Sequence, residues 1–157
     1  YFIQFNLLFV HKFIFYFASA CLWFSTSSCQ HFTDEGAADA CVDSFALHYF
    51  NWQYEACVPY VTADSKRWLE YAASQVHEED VEALRAMTSA AKCEVVSLQY
   101  GENEQQMNAK VEVSNFLAMD PLGTVAHQVE KAVYAIALKQ HDNRWLVDLN
   151  RLPQRVK

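Results

Sequence analysis

The stretch VEKAVYAIALKQHDNRWLVDL, Val129–Leu149, decides the fold. Strand-forming residues fill Val129–Gln140 and again Arg144–Leu149. Between them His141-Asp142-Asn143 is a short polar turn of the kind that reverses antiparallel strands. In the longer run Ala132, Tyr134, Ile136 and Leu138 share one face, and Val133, Ala135 and Ala137 share the other. Apolar side chains on both faces predict a central strand covered on two sides.

The same period of two continues upstream. In Met107–Leu117 the residues Met107, Ala109, Val111, Val113 and Leu117 alternate with polar Asn108, Lys110, Glu112 and Ser114, which predicts a strand with one buried face. Cys93–Tyr100 reads as a further strand ended by Gly101-Glu102-Asn103, and Asp120-Pro121-Leu122-Gly123 reads as a turn. Before Cys93 the period is helical. Ala38, Cys41, Val42, Phe45, Tyr49 and Trp52 make one stripe, and Gln53–Val61 reads as a short second helix in which Pro59 must sit in the first turn or just past the end. Thr62-Ala63-Asp64-Ser65 offers capping side chains ahead of a helix over Lys66–Val76. Glu78-Glu79-Asp80 places carboxylates at the positive end of a helix over Val81–Ala91. Helices followed by a run of antiparallel strands predict an α+β fold, with N-terminal helices packed on a curved antiparallel sheet of about four strands.

The chain has 157 residues, 52% of them hydrophobic and 15% aromatic, which is one domain's worth with ample core. Net charge is −7, and all 19 acidic residues follow Cys29. That balance argues against a nucleic-acid groove, which needs clustered Lys and Arg to displace counterions.

The N-terminal region reads as an address. Basic His11-Lys12 precedes the uncharged run FIFYFASACLWF, Phe13–Phe24, and then Ser25-Thr26-Ser27-Ser28-Cys29. A basic segment, an apolar segment and a small-residue cleavage site compose a secretory signal peptide, here over residues 1–28. Residues 1–10 lie upstream of the basic pair and are read as an extension ahead of the true start. The small residues ending at Cys29 resemble a bacterial lipobox, in the looser Ser-rich version of Bacteroidota lipoproteins. The resemblance implies a lipid-modified Cys29, with the domain held at the membrane of a bacterial cell envelope, facing the periplasm or the cell surface. Each buried methylene of such an anchor contributes about 0.8 kcal/mol. The alternatives are an ordinary cleaved signal peptide or a retained anchor. Residues 29–36 are then a tether, 37–150 the domain and 151–157 a tail.

Two further segments carry a family resemblance. Asn51-Trp52-Gln53-Tyr54-Glu55-Ala56 is similar to the helix–helix junction of the nuclear-transport-factor-2-like superfamily, commonly Gly-Asp-Tyr-Glu-Lys-Ala, although the Gly-Asp pair is missing. Asp142-Asn143-Arg144-Trp145-Leu146-Val147 resembles the final hairpin of that superfamily, commonly Asp-Gly-Lys-Trp-hydrophobic-Val. The resemblance runs from about Ala37 to Leu149 and implies a cone, a bent sheet round helices with a cavity at its open end. Members include isomerases, dehydratases and cyclases that place a Tyr or an Asp/His acid–base group inside the cone. By that resemblance Tyr49, Tyr60 and Tyr134 are candidate cavity-lining residues, and His48 or Asp43 a candidate base. None matches a catalytic motif, so no catalytic residue is assigned. A small-molecule ligand, an envelope protein or a second copy of the chain are the partners left open.

Other chemistries find little support. The six histidines show no ligand spacing, and His77-Glu78 lacks the second histidine of a zinc-binding helix. Three glycines cannot make a phosphate loop, and no Gly-x-Ser-x-Gly elbow occurs. No metal or cofactor is expected. Cys41, Cys57 and Cys93 follow the signal region, and their number is odd for an oxidising compartment; Cys41 and Cys57 are a candidate disulfide, with buried free thiols as the alternative. Three functions follow: a binding domain, an enzyme using a buried acid–base residue, or an accessory protein whose cavity is plugged by Phe45, Trp52 and Trp68.

Overall fold

The computed structural model describes residues 34–119 and 123–156. Cys29, the signal region and the Asp120-Pro121-Leu122 part of the expected turn lie outside the described residues. Helix α1 spans Asp34–Phe50 and so begins inside the expected tether. It buries Ala38, Cys41, Val42, Phe45, Ala46 and Phe50, which together make one broad apolar face. That face is covered by four strands of the sheet.

Helix α2, Tyr54–Cys57, is a single turn that passes into a 3-10 turn over Val58–Tyr60. Pro59 sits in the first turn of that segment, where its missing N–H costs nothing. A second 3-10 turn, Ala63–Ser65, leads into α3, Lys66–Ser74. The expected caps act differently from prediction. Thr62 Oγ1 meets Ser65 Oγ at 2.6 Å and donates to Asp148 Oδ1 at 3.0 Å, so these side chains tie the helical layer to the end of the sheet. Helix α4, Glu78–Ala86, stops short of the expected Ala91. Among the described residues no helix is long and apolar enough to cross a membrane.

The strands are β1 (Lys92–Tyr100), β2 (Gln106–Ala118), β3 (His127–His141), β4 (Arg144–Val147) and the short β5 (Gln154–Arg155). All named strand pairs are antiparallel, in the order β1-β2-β3-β4, with β5 also pairing β3. This α+β meander is the arrangement the family resemblance implies. His141 pairs with Arg144, so the deciding hairpin turns on two residues, Asp142 (φ 48°) and Asn143 (φ 62°). Two successive left-handed residues match the right-handed twist of the strands, and Asp and Asn tolerate that region best after Gly.

Two sequence readings need correction. β3 is not covered on both faces: Ala135 and Ala137 are exposed, while Ala132, Ile136 and Leu138 are buried. Alanine is small enough to be at home on either face, so its presence did not report burial. Trp52 does not continue the α1 stripe either, because the helix ends at Phe50 and Trp52 turns the chain with φ 59°.

Candidate functional site

Where α1 ends, two backbone hydrogen bonds close it. Gln53 N–H donates to the His48 carbonyl at 2.9 Å, and Trp52 N–H donates to that of Tyr49 at 3.0 Å. These paired bonds wrap a helix end over one left-handed residue, a place glycine usually fills. Trp52 occupies it instead. An L side chain there costs roughly 1–2 kcal/mol, so the indole must be held by what surrounds it.

A second departure from regular geometry lies opposite in sequence, on β2. Met107, Ala109, Val111 and Val113 are buried in strict alternation, and then Asn115 takes φ 54° and the parity changes. Phe116 turns inward at 1% exposure, with Leu117 at 6% immediately after it. Asn115 is fixed in this conformation by its own side chain. Nδ2 donates to Ser89 O at 3.0 Å and to Ser89 Oγ at 2.7 Å, and Oδ1 accepts from Gln128 Nε2 at 3.0 Å.

The two departures converge on one aromatic cluster. The Phe50 ring lies 4.6 Å from Tyr134 and 5.6 Å from Phe116, and Phe116 lies 5.9 Å from Tyr134. Tyr49 meets Phe50 at 5.2 Å and Tyr54 at 5.5 Å, both edge to face. Above these rings is a cavity of about 560 Å³. Its walls are the end of α1, Trp52, Tyr54, the end of β2, Tyr134 of β3 and the C-terminal residues 152–156. Burial lifts the Tyr49 hydroxyl well above its ordinary pKa, helped by Tyr54, Tyr134 and Cys57 around it, and burial likewise raises Tyr54. Both phenols stay protonated at neutral pH and can donate hydrogen bonds.

Of the sequence candidates, Tyr49 and Tyr134 line this cavity, and Tyr60 does not. Tyr60 sits on the 3-10 turn after α2 and stacks on His48, with ring centres 6.0 Å apart. His48 Nδ1 is engaged with Gln53 Oε1 at 2.7 Å, and Asp43 is exposed on α1. Neither is among the cavity's described lining, which contains no carboxylate or imidazole. Phe45 belongs to the core, and Trp68 packs on Tyr71 and under the guanidinium of Arg67. Trp52 alone of the three expected plugging residues reaches the cavity, as part of its wall.

The candidate disulfide is absent: Cys41 and Cys57 are free thiols. Their sulfurs point at different backbone carbonyls, Cys41 at Tyr60 O (3.6 Å) and Cys57 at Gln53 O (3.5 Å) and Phe45 O (3.8 Å). Among the described residues no cluster of His, Cys, Asp and Glu could hold a metal ion.

Sequence reasoning missed Phe116, Trp52's backbone and the C-terminal wall. The missing glycine at the α1–α2 junction was the one available signal for Trp52. Nothing local marked Leu152–Val156, whose role depends on pairing with β3.

No family model and no curated protein matches this chain. Among solved structures it is similar to an "Ntf2 like protein involved in plasmid conjugation", at 17% identity and a TM-score of 0.37, over 80% of this chain and 50% of that one. The chain thus spans half the length of that protein.

Proposed function

We propose that this chain is a binding domain, not an enzyme, whose aromatic cavity takes a small, flat, largely apolar molecule. The observation that carries the reading is Trp52, a bulky residue kept in a left-handed conformation at the cavity wall. Backbone strain of that kind concentrates at ligand clamps and functional sites. The volume of about 560 Å³ falls within the roughly 300–1,000 Å³ of small-molecule sites, and the walls combine aromatic rings with polar groups. A cyclase- or isomerase-type reaction would need a base beside the substrate. Tyr49 and Tyr54 are poor bases, because burial favours their protonated forms.

A planar probe tests the reading. Isothermal titration of the full chain with 2-naphthamide is expected to give saturable binding near one to one. Ala118→Trp, which fills the cavity from the end of β2, is expected to abolish it while leaving the circular dichroism spectrum and melting temperature close to those of the parent. Absence of saturable binding by the parent chain overturns the reading.

We further propose that the domain works in a bacterial cell envelope, tethered by lipid on Cys29. The run Phe13–Phe24 followed by Ser25–Cys29 supports this. Mass spectrometry of the membrane-extracted protein should find an acylated N-terminal Cys29 peptide, and Cys29→Ser should release the protein from membranes. An unmodified Cys29 behind an intact leader in the cytosol would overturn it.

A further inference from the structure

Among the described residues that line the aromatic cavity, one carries a formal charge, and it is Arg155. Its placement follows from the ladder between β5 and β3. Arg155 stands directly opposite Tyr134, with Gln154 opposite Ala135. Opposed residues of an antiparallel pair leave the sheet on the same face with their Cβ atoms roughly 5 Å apart. Tyr134 leaves on the face where it meets Phe50 and Phe116. Arg155 therefore starts from the cavity side, beside the Tyr134 ring. The backbone holds it there, since the next residue, Val156, donates its N–H to Val133 O at 2.8 Å.

Among the described residues the guanidinium has no ion-pair partner: the ion pairs are Lys131 with Glu112 and His141 with Asp142, and neither involves Arg155. Among the described lining residues no carboxylate accompanies it, so the charged group at this aromatic cavity is a cation. A planar guanidinium with a fork of donors matches a carboxylate or another oxyanion in two parallel hydrogen bonds. The rings of Trp52, Tyr54 and Tyr134 suit a flat partner.

We infer that the ligand of this cavity is a flat aromatic anion, its ring lying among the aromatic side chains and its anionic group held by Arg155. This rests on the reading of the cavity as a binding site and adds the charge of what binds.

Two isosteric probes separate the inference from its premise. 2-Naphthoate and 2-naphthamide have the same shape and differ in charge. In titrations of the full chain, naphthoate is expected to bind about tenfold more tightly, the size of one charge-assisted contact, and added salt is expected to narrow the gap. Arg155→Gln should bring the ratio of the two affinities close to one, and Arg155→Lys should keep a salt-sensitive part of it. Arg155 is exposed, so neither replacement disturbs packing. Equal binding of both probes by the parent chain, or a preference for naphthoate that survives Arg155→Gln, overturns the inference and leaves the binding site standing. Binding of neither probe overturns both.

Discussion

The Asp80 carboxylate accepts the Ala126 backbone N–H at 2.9 Å, a bond that joins residues 46 positions apart. Its other oxygen accepts the His77 N–H, also at 2.9 Å, at the start of α4. A 2% exposed side chain thus caps a helix and fastens it to the entry of β3. Asp80→Ala strands two donors at once and is expected to lower the free energy of unfolding by about 2 kcal/mol in urea titrations. The pH dependence has a definite sign. Burial disfavours the carboxylate, but the Ala126 and His77 N–H groups and the charge of His77 outweigh it and hold the pKa below 3.8. The contribution is therefore present above that pH and is lost as pH falls through the lowered folded value. The stability gap between parent and variant should shrink in acid as the carboxylate is protonated.

Asn51 acts as a clasp between α1 and β1. Its Oδ1 accepts the Ala91 N–H at 2.8 Å, and its Nδ2 donates to Ala91 O at 3.2 Å and to Leu47 O at 2.8 Å. Asn51→Asp keeps the acceptor and loses the donor, whereas Asn51→Leu loses both. Destabilisation in thermal melts should rise in that order, to about 2 kcal/mol for Leu.

Trp52 gives an inverted glycine–alanine order. In an ordinary helix interior Ala is more stable than Gly by about 1 kcal/mol. At φ 59° the preference reverses, so Trp52→Gly should be more stable than Trp52→Ala by about 1 kcal/mol. Both should bind 2-naphthamide less well than the parent, since each removes the indole from the wall. Equal stability of the two variants would show that position 52 does not hold the left-handed conformation in solution.

The three described cysteines should label slowly in the folded chain and fully in denaturant without reductant. Burial pushes Cys41 up to about 11 and Cys57 and Cys93 to about 12, so little thiolate is present at pH 8. Peptide-level mass spectrometry after alkylation would read this residue by residue. A Cys41 peptide protected in denaturant until reductant is added would contradict the free thiols.

The architecture was legible in the sequence because its signals are local. The Asp142-Asn143 turn and the alternation from Met107 to Val113 each depend on a few neighbouring residues, and the strands fall close to where those residues placed them. The site was harder to read, because long-range pairings make it. Asn115 reverses the inward parity of β2 through bonds to Ser89 and Gln128, and no windowed periodicity anticipates that. Trp52 fitted the helical stripe by side chain while its backbone had already left the helix. Tyr49 and Tyr134 could be proposed from the family resemblance, but Tyr60 could be told from them only by its stacking on His48.

The short β5 pairing has a practical corollary. Residues 152–156 are a wall of the cavity, fastened to β3 at Tyr134 and Ala135 and by the Val156 N–H. Cutting the chain ahead of Leu152 would therefore open the cavity on one side and leave the Tyr134–Ala135 edge of β3 without its partner.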